Sequence, residues 1–144
     1  MKLFTIGFTK KSAEEFFSAL QQAGVERLID VRLNNVSQLA GFAKRHDLEY
    51  FLRAICRIPY AHHLELAPTQ EMLDDYRKRD HDWPRYEARF LDLMAARRIE
   101  TSLRPEGVAG ACLLCSEETA DRCHRRLVAE YLQRSWGGVE IVHL

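Results

Sequence analysis

Apolar positions along this chain fall into two alternating rhythms. Leu3-Phe4-Thr5-Ile6 is a short β run that ends at Gly7. Ser12-Ala13-Glu14-Glu15 then forms a Ser-x-x-Glu capping box, and Phe16, Phe17, Leu20 and Ala23 follow at helical spacing. Gly24 comes next as a left-handed cap. The run from Val25 to Val31 contains Leu28-Ile29-Asp30-Val31, whose near-unbroken apolar character suits a strand covered on both faces. Together these segments read as a β-α-β unit.

A polar stretch around Asn34-Asn35 separates this unit from a helix that Asp47 is expected to cap, with Leu48, Phe51, Leu52 and Ile55 as its apolar stripe. Ile58 to His63 is a strand candidate in which Pro59 must sit at the beginning or edge. Two helices should follow. One runs from about Thr69 to Arg79 with Met72, Leu73 and Tyr76 inward. The other runs from about Trp83 to Arg98, with Pro84 in its first turn and Tyr86, Phe90, Leu93 and Met94 inward. Arg97 and Arg98 fall at the negative end of that helix. Val108 to Leu114 is the strongest strand, followed by a helix from about Asp121 to Leu132 and a last strand over Val139-Glu140-Ile141-Val142. Strands alternating with helices imply an α/β fold of three layers: a mostly parallel sheet of about five strands with helices on both faces. Strand order is left open by the pattern.

Length and composition narrow the class. The 144 residues suffice for a single domain spanning 1–144, and 47% hydrophobic with 29% charged residues is ordinary globular composition. The 21 basic and 21 acidic side chains cancel, so affinity for an anion has to be local. Val108 to Cys115 is the longest apolar stretch, far short of the ~20 residues that cross a bilayer. The first residues read as a strand, so no membrane association is expected and a cytoplasmic location follows. Four cysteines in a chain with ample core are expected to be reduced thiols.

Open parallel sheets bind ligands beyond the carboxyl ends of their strands, near a topological switch point. Gly7, Asp30 with Arg32, His62-His63 and Cys115-Ser116-Glu117 all follow strand ends and should meet on one rim. Arg32 offers a planar fork for phosphate or carboxylate, and Asp30 can fix that fork, although the two can equally form a plain ion pair. Alternation in an extended segment lets only one of the adjacent histidines face the rim, and His63 is favoured. Cys115 joins a buried strand to a helix start, where backbone N–H groups and nearby Arg or His can stabilise a thiolate. Cys123 can instead pack inward with Leu127 and Tyr131. Arg122, Arg125 and Arg126 make a local basic cluster at the helix start that suits a phosphate, or a solvated face paired to Glu117, Glu118 or Glu130.

Several sharper motifs fail. A phosphatase-type loop needs Arg six positions after the Cys, where this chain has Asp121. Cys112 and Cys115 are three apart in a strand, so their sulfurs face opposite sides of the sheet. Cys115, Cys123, His124 and His63 could supply metal ligands, but residues 123 and 124 on one helix diverge by about 100°, so no metal is expected. Dinucleotide and triphosphate glycine loops are absent, and no cofactor is expected.

Thr5-Ile6-Gly7, Ile29-Asp30-Val31-Arg32, Ser37 with Phe42, the Leu-rich helix after Asp47, and Leu113-Leu114-Cys115-x-Glu117 followed by Cys123-His124-Arg125 together resemble the domain of unknown function 488 family. Asn34-Asn35 stands where many relatives carry proline, so the chain is similar to a subgroup reading Asn-Asn-x-Ser-Gln-Leu-Ala-Gly-Phe. The resemblance implies an α/β fold with clustered polar residues. By motif, Asp30, Arg32, Cys115, Glu117, Cys123, His124 and Arg125 are the positions it implies for a site, with Gly7, Ser37 and His63 as further ligand-contact candidates.

The leading expectation is an enzyme acting on a small phosphorylated or nucleotide-like anion. Cys115 would be its nucleophile or thiolate donor, and Arg32 and Arg125 would hold the anion. His124 or His63 would move protons, and Asp30 would orient them. A non-catalytic module for nucleic acid or a phosphate ligand, working through Arg122, Arg125, Arg126, Lys44 and Arg45, is the second reading. In a third, the Cys/His cluster is an internal network. Oligomeric state is not legible.

Overall fold

The computed structural model describes residues 1–36 and 40–144. Five strands form one sheet: β1 (Lys2–Gly7), β2 (Arg27–Asp30), β3 (Tyr60–His62), β4 (Ala111–Cys115) and β5 (Glu140–His143). Their order is β3-β2-β4-β1-β5, and every neighbouring pair is parallel. In register, Gly7 lies opposite Cys115, and Asp30 lies between Leu114 and His62, so the ends of β1, β2 and β4 open on the same edge.

The period of two in the strands sorts side chains into two cores. Phe4, Ile6, Leu28, Cys112 and Leu114 pack with Phe16, Phe17 and Leu20 of helix α1 (Ala13–Ala23) and Leu48 of helix α2 (Arg45–Phe51). Leu3, Ile29, Leu113 and Cys115 face the other way. They meet Met72 and Leu73 of α3 (Gln70–Asp74), Phe90 and Met94 of α4 (Trp83–Arg97), Ile99 of α5 (Ile99–Ser102), Val108 of α6 (Pro105–Val108) and Leu127 of α7 (His124–Trp136). Helices therefore cover both faces, as the three-layer expectation required. The opposite facing of Cys112 and Cys115 follows from the same alternation.

Ser12 and Glu15 make the reciprocal capping box, and Gly24 closes α1 in the left-handed region at φ 72°. Other boundaries differ from the periodicity. Lys44, not Asp47, precedes α2, and Asp47 sits in its first turn, where its charge still complements the helix dipole. Ile55 is exposed rather than buried, because the helix widens into a π turn over Leu52–Cys56 and the stripe loses its register. Val108 belongs to α6, which starts at Pro105, and β4 begins only at Ala111, after Gly110 turns the chain at φ 75°. The most consequential difference is at α7, which starts at His124 rather than near Asp121 and extends to Trp136.

Candidate functional site

The crossover after β2 runs through α2 on one face of the sheet, whereas α7 follows β4 on the other. Adjacent strands that send their chains to opposite faces leave a crevice between them. A cavity of about 420 Å³ lies there, bordered by Arg32 and Leu33 after β2 and by Cys115, Ser116 and Glu117 after β4. Cys123 and His124 close its inner wall, and Tyr76, Arg77, Trp83 and Tyr86 form the far side.

Asp30 is fully buried at the end of β2, and its carboxylate is saturated. Arg32 donates to it through Nε at 2.8 Å and Nη2 at 2.7 Å, and the Arg32 backbone N–H adds a third bond at 3.1 Å. Tyr60 Oη donates to the same carboxylate at 2.7 Å, and Asn35 Nδ2 lies 3.4 Å away. Burial alone would raise the Asp30 pKa, but the Arg32 and Tyr60 bonds and the Arg32 charge outweigh it and hold the group below the usual carboxylate range. This arrangement fixes the guanidinium, which also lies over the Phe8 ring at 5.3 Å. One end is left over: Arg32 is 4% exposed, and its Nη1 has no hydrogen-bond partner among the described residues.

The sulfur site is built by the loop between β4 and α7. Cys115 Sγ lies 3.5 Å from Nδ1 of His124. Nε2 of His124 is 2.7 Å from the Val31 carbonyl, which can only accept, so Nε2 carries the hydrogen and Nδ1 is turned to the sulfur. The Cys115 thiol is held well below its ordinary pKa. The main cause is a bond from the Cys123 thiol, helped by the His124 charge and the Ser116 backbone N–H against the cost of burial. Burial, reinforced by Cys115, pushes Cys123 up. Burial would lower His124, but the Cys115 sulfur and the Val31 carbonyl prevail and raise it. Sγ of Cys115, Sγ of Cys123 and a ring nitrogen of His124 all lie within 4.8 Å of one another.

This convergence corrects the expectation that Cys123 and His124 diverge as helical neighbours. Cys123 is the residue before the helix, extended at φ −137° and ψ 138°, so the 100° rotation does not act between the two side chains. His63 is elsewhere, its Nδ1 bonded to Glu65 Oε1 at 2.6 Å, while His62 Nε2 meets the Arg32 carbonyl at 2.7 Å. Neither histidine borders the cavity.

Arg125 is 1% exposed and occupied internally, its Nη1 donating to the Glu117 carbonyl at 2.7 Å and to Cys123 Sγ at 3.5 Å. It braces the loop instead of offering a free fork to the cavity. Gly7 serves the same contact: a Cβ there would stand 1.6 Å from the Glu117 carbonyl oxygen. Arg126 pairs with Glu87 and Glu130, so of the predicted basic cluster Arg122 alone borders the cavity. Ser37, with Gln38 and Leu39 of the subgroup loop, lies outside the described residues. In the sequence Tyr76 reads as a member of a helix stripe and Trp83 as a helix start, and nothing there marks Arg77, so no local signal places these three at the cavity.

The motifs that deliver these groups, Asp30-Val31-Arg32 and Cys115 to Arg125, lie within the span matched by the family model for domain of unknown function DUF488, residues 12–132. The chain belongs to that family. No curated protein and no solved structure matches it. Among the described residues of this DUF488 chain, no helix is long and apolar enough to cross a membrane.

Proposed function

We propose that the chain is a thiol enzyme acting on a phosphorylated or nucleotide-like ligand in the cavity between β2 and β4. The observation that carries this reading is the Cys115–His124 pair at the cavity wall, with the second ring nitrogen of His124 tied to the Val31 carbonyl. A nucleophile, a base within reach and a third group that orients the base are the parts nucleophilic catalysis needs. In this reading the Cys115 sulfur attacks the phosphorus of the ligand, and the P–S bond forms as the P–O bond to the leaving oxygen breaks. His124 takes the thiol proton and delivers it to that leaving oxygen, while Arg32 presents Nη1 to the anion and Asp30 holds its other side. Arg77 and Arg122 supply further positive charge, and Tyr76, Trp83 and Tyr86 an apolar wall for a base. Arg125 is withdrawn from anion binding and acts through the loop. Thiols that must stay reduced suit the cytoplasm.

The test is alkylation by iodoacetamide at pH 7, followed residue by residue by mass spectrometry, with adenosine monophosphate or pyrophosphate as competitor. Cys115 should react at least about tenfold faster than glutathione, because its thiolate fraction exceeds that of a free thiol. Cys123→Ala should remove most of that advantage and His124→Gln a part of it, and the anions should protect. A Cys115 no faster than glutathione sinks the enzyme reading. Salt-sensitive anion binding that persists unchanged in Cys115→Ala, without that reactivity, would favour the non-catalytic phosphate-binding module.

A further inference from the structure

We infer that Cys115, Cys123 and His124 form a binding site for a thiophilic divalent cation such as Zn²⁺, with its fourth coordination position open to the cavity.

The donor set is the first reason. Two thiols and one imidazole, all buried and mutually within 4.8 Å, are the ligands zinc prefers, and three protein ligands with one open position is the arrangement of sites that also admit a ligand or water. Spacing is the second. Zinc bonds of about 2.3 Å to sulfur and about 2.0 Å to nitrogen place a tetrahedral S–N edge at about 3.5 Å. The Cys115 Sγ to His124 Nδ1 distance is 3.5 Å. Orientation is the third. A ligating histidine needs its other N–H held by an outer partner, and here Nε2 is on the Val31 carbonyl at 2.7 Å, leaving Nδ1 for the metal. The Cys123 sulfur has the matching support, since Arg125 Nη1 stands 3.5 Å from it.

Charge balances on binding. Two protons leave the Cys115, Cys123 and His124 set per cation, and the Zn²⁺ with two thiolates and a neutral imidazole is a core of zero net charge. Such a core is far cheaper to bury than an isolated cation. All three ligand residues border the same cavity as Arg32, so a bound anion could reach the fourth position.

This site goes beyond the thiol-enzyme reading and does not depend on it, because it uses donor geometry alone. The two also compete for one atom, since a Cys115 sulfur bound to metal cannot attack.

The experiment uses the full chain, reduced and washed with chelator, and titrates it with Co²⁺. The expected result is saturation at one equivalent, with thiolate-to-cobalt charge-transfer and tetrahedral d–d absorption, both abolished by added Zn²⁺. Cys123→Ser and His124→Asn should each weaken binding at least about a hundredfold, while Cys56→Ser should bind as the parent does. Absence of thiolate absorption at one equivalent of the folded parent, or absorption unchanged in Cys123→Ser, overturns the site. Should a variant fail to fold, the parent decides: one equivalent of Zn²⁺ should block iodoacetamide labelling of Cys115 and Cys123 together, and labelling unaffected by Zn²⁺ rejects the proposal. Reactivity of Cys115 in metal-free protein tests the enzyme reading separately, so each idea can fail alone.

Discussion

A buried arginine is costly unless its donors are used, and Arg32 and Arg125, both buried, use them differently. Arg125 donates through Nε and Nη1 to Thr5, Glu117 and Cys123, whereas Arg32 gives Nε and Nη2 to Asp30 and keeps Nη1 without a partner among the described residues. Removing one member of a buried pair leaves an uncompensated charge, so Asp30→Ala should lower stability by about 3–5 kcal/mol in urea unfolding. The pH sign follows from the depressed folded pKa of Asp30. Its contribution is complete above the unfolded carboxyl value of about 3.9 and is lost as pH falls through the lower folded value. Urea midpoints measured down the acid range should therefore fall less steeply in Asp30→Asn, and an identical acid slope would show the pair has no such linkage. At Gly7 the constraint is steric rather than electrostatic. Gly7→Ala forces its Cβ into the Glu117 carbonyl, and since that atom is backbone it has no rotamer to escape into. The expected loss is about 3 kcal/mol or more by thermal or urea unfolding, and a parent-like midpoint would mean the loop moves freely.

At the scale of elements the helices were legible, although the stripe of α2 failed at Ile55, and helix starts were legible only where a side chain supplies the cap. Ser12, Thr69 and Asp82 each accept from the first turn and fix their helix starts, and the periodicity placed those starts correctly to within a residue. At α7 no side chain caps the helix, and the polar run from Glu117 to Arg122 has the composition of a first turn without forming one. The geometry of Cys123 was hidden for that reason: its backbone is extended, and Arg125 Nη1 ties it to the loop through Cys123 Sγ and the Glu117 carbonyl. A similar tertiary role falls on Arg97. From sequence it is a cation at a helix end, but its Nη1 donates to the Glu65 carbonyl at 2.8 Å and the Ala67 carbonyl at 2.7 Å, fastening α4 to the turn that follows β3. Arg97→Met keeps the packing of the stem and removes the charged donor. It should cost about 1.5–3 kcal/mol, with amide exchange accelerating first over residues 64–67. Unchanged exchange there would assign the turn to other contacts.

Across the whole molecule, the alternation of strands and helices was enough to give a parallel three-layer sheet, but strand order was not, because hydrophobic pattern carries no information about which buried strand neighbours which. That order decides the site. Placing β4 between β1 and β2 sets the Cys115 loop beside Arg32, and the opposite faces taken by α2 and α7 open the crevice between them. The site residues read from sequence were those next to strand ends and, by motif, Ser37 and the Cys123-His124-Arg125 run; Arg77 and the Tyr76, Trp83 and Tyr86 wall come from the helical layer and needed the tertiary arrangement. The cavity thus draws on segments that meet only in the folded chain, and an anion bound to it would cross-link the end of β2, the β4–α7 loop and the α3–α4 region. A ligand that binds the native state alone stabilises it by about 2.7 kcal/mol when present at a hundred times its Kd. Adenosine monophosphate at saturation should accordingly raise the thermal midpoint and slow amide exchange in residues 116–123 and 76–83 together, more strongly than inorganic phosphate, which lacks a ring to meet the aromatic wall. Protection of one segment without the other would place the ligand outside the crevice, and equal effects of phosphate and the nucleotide would remove the aromatic wall from recognition.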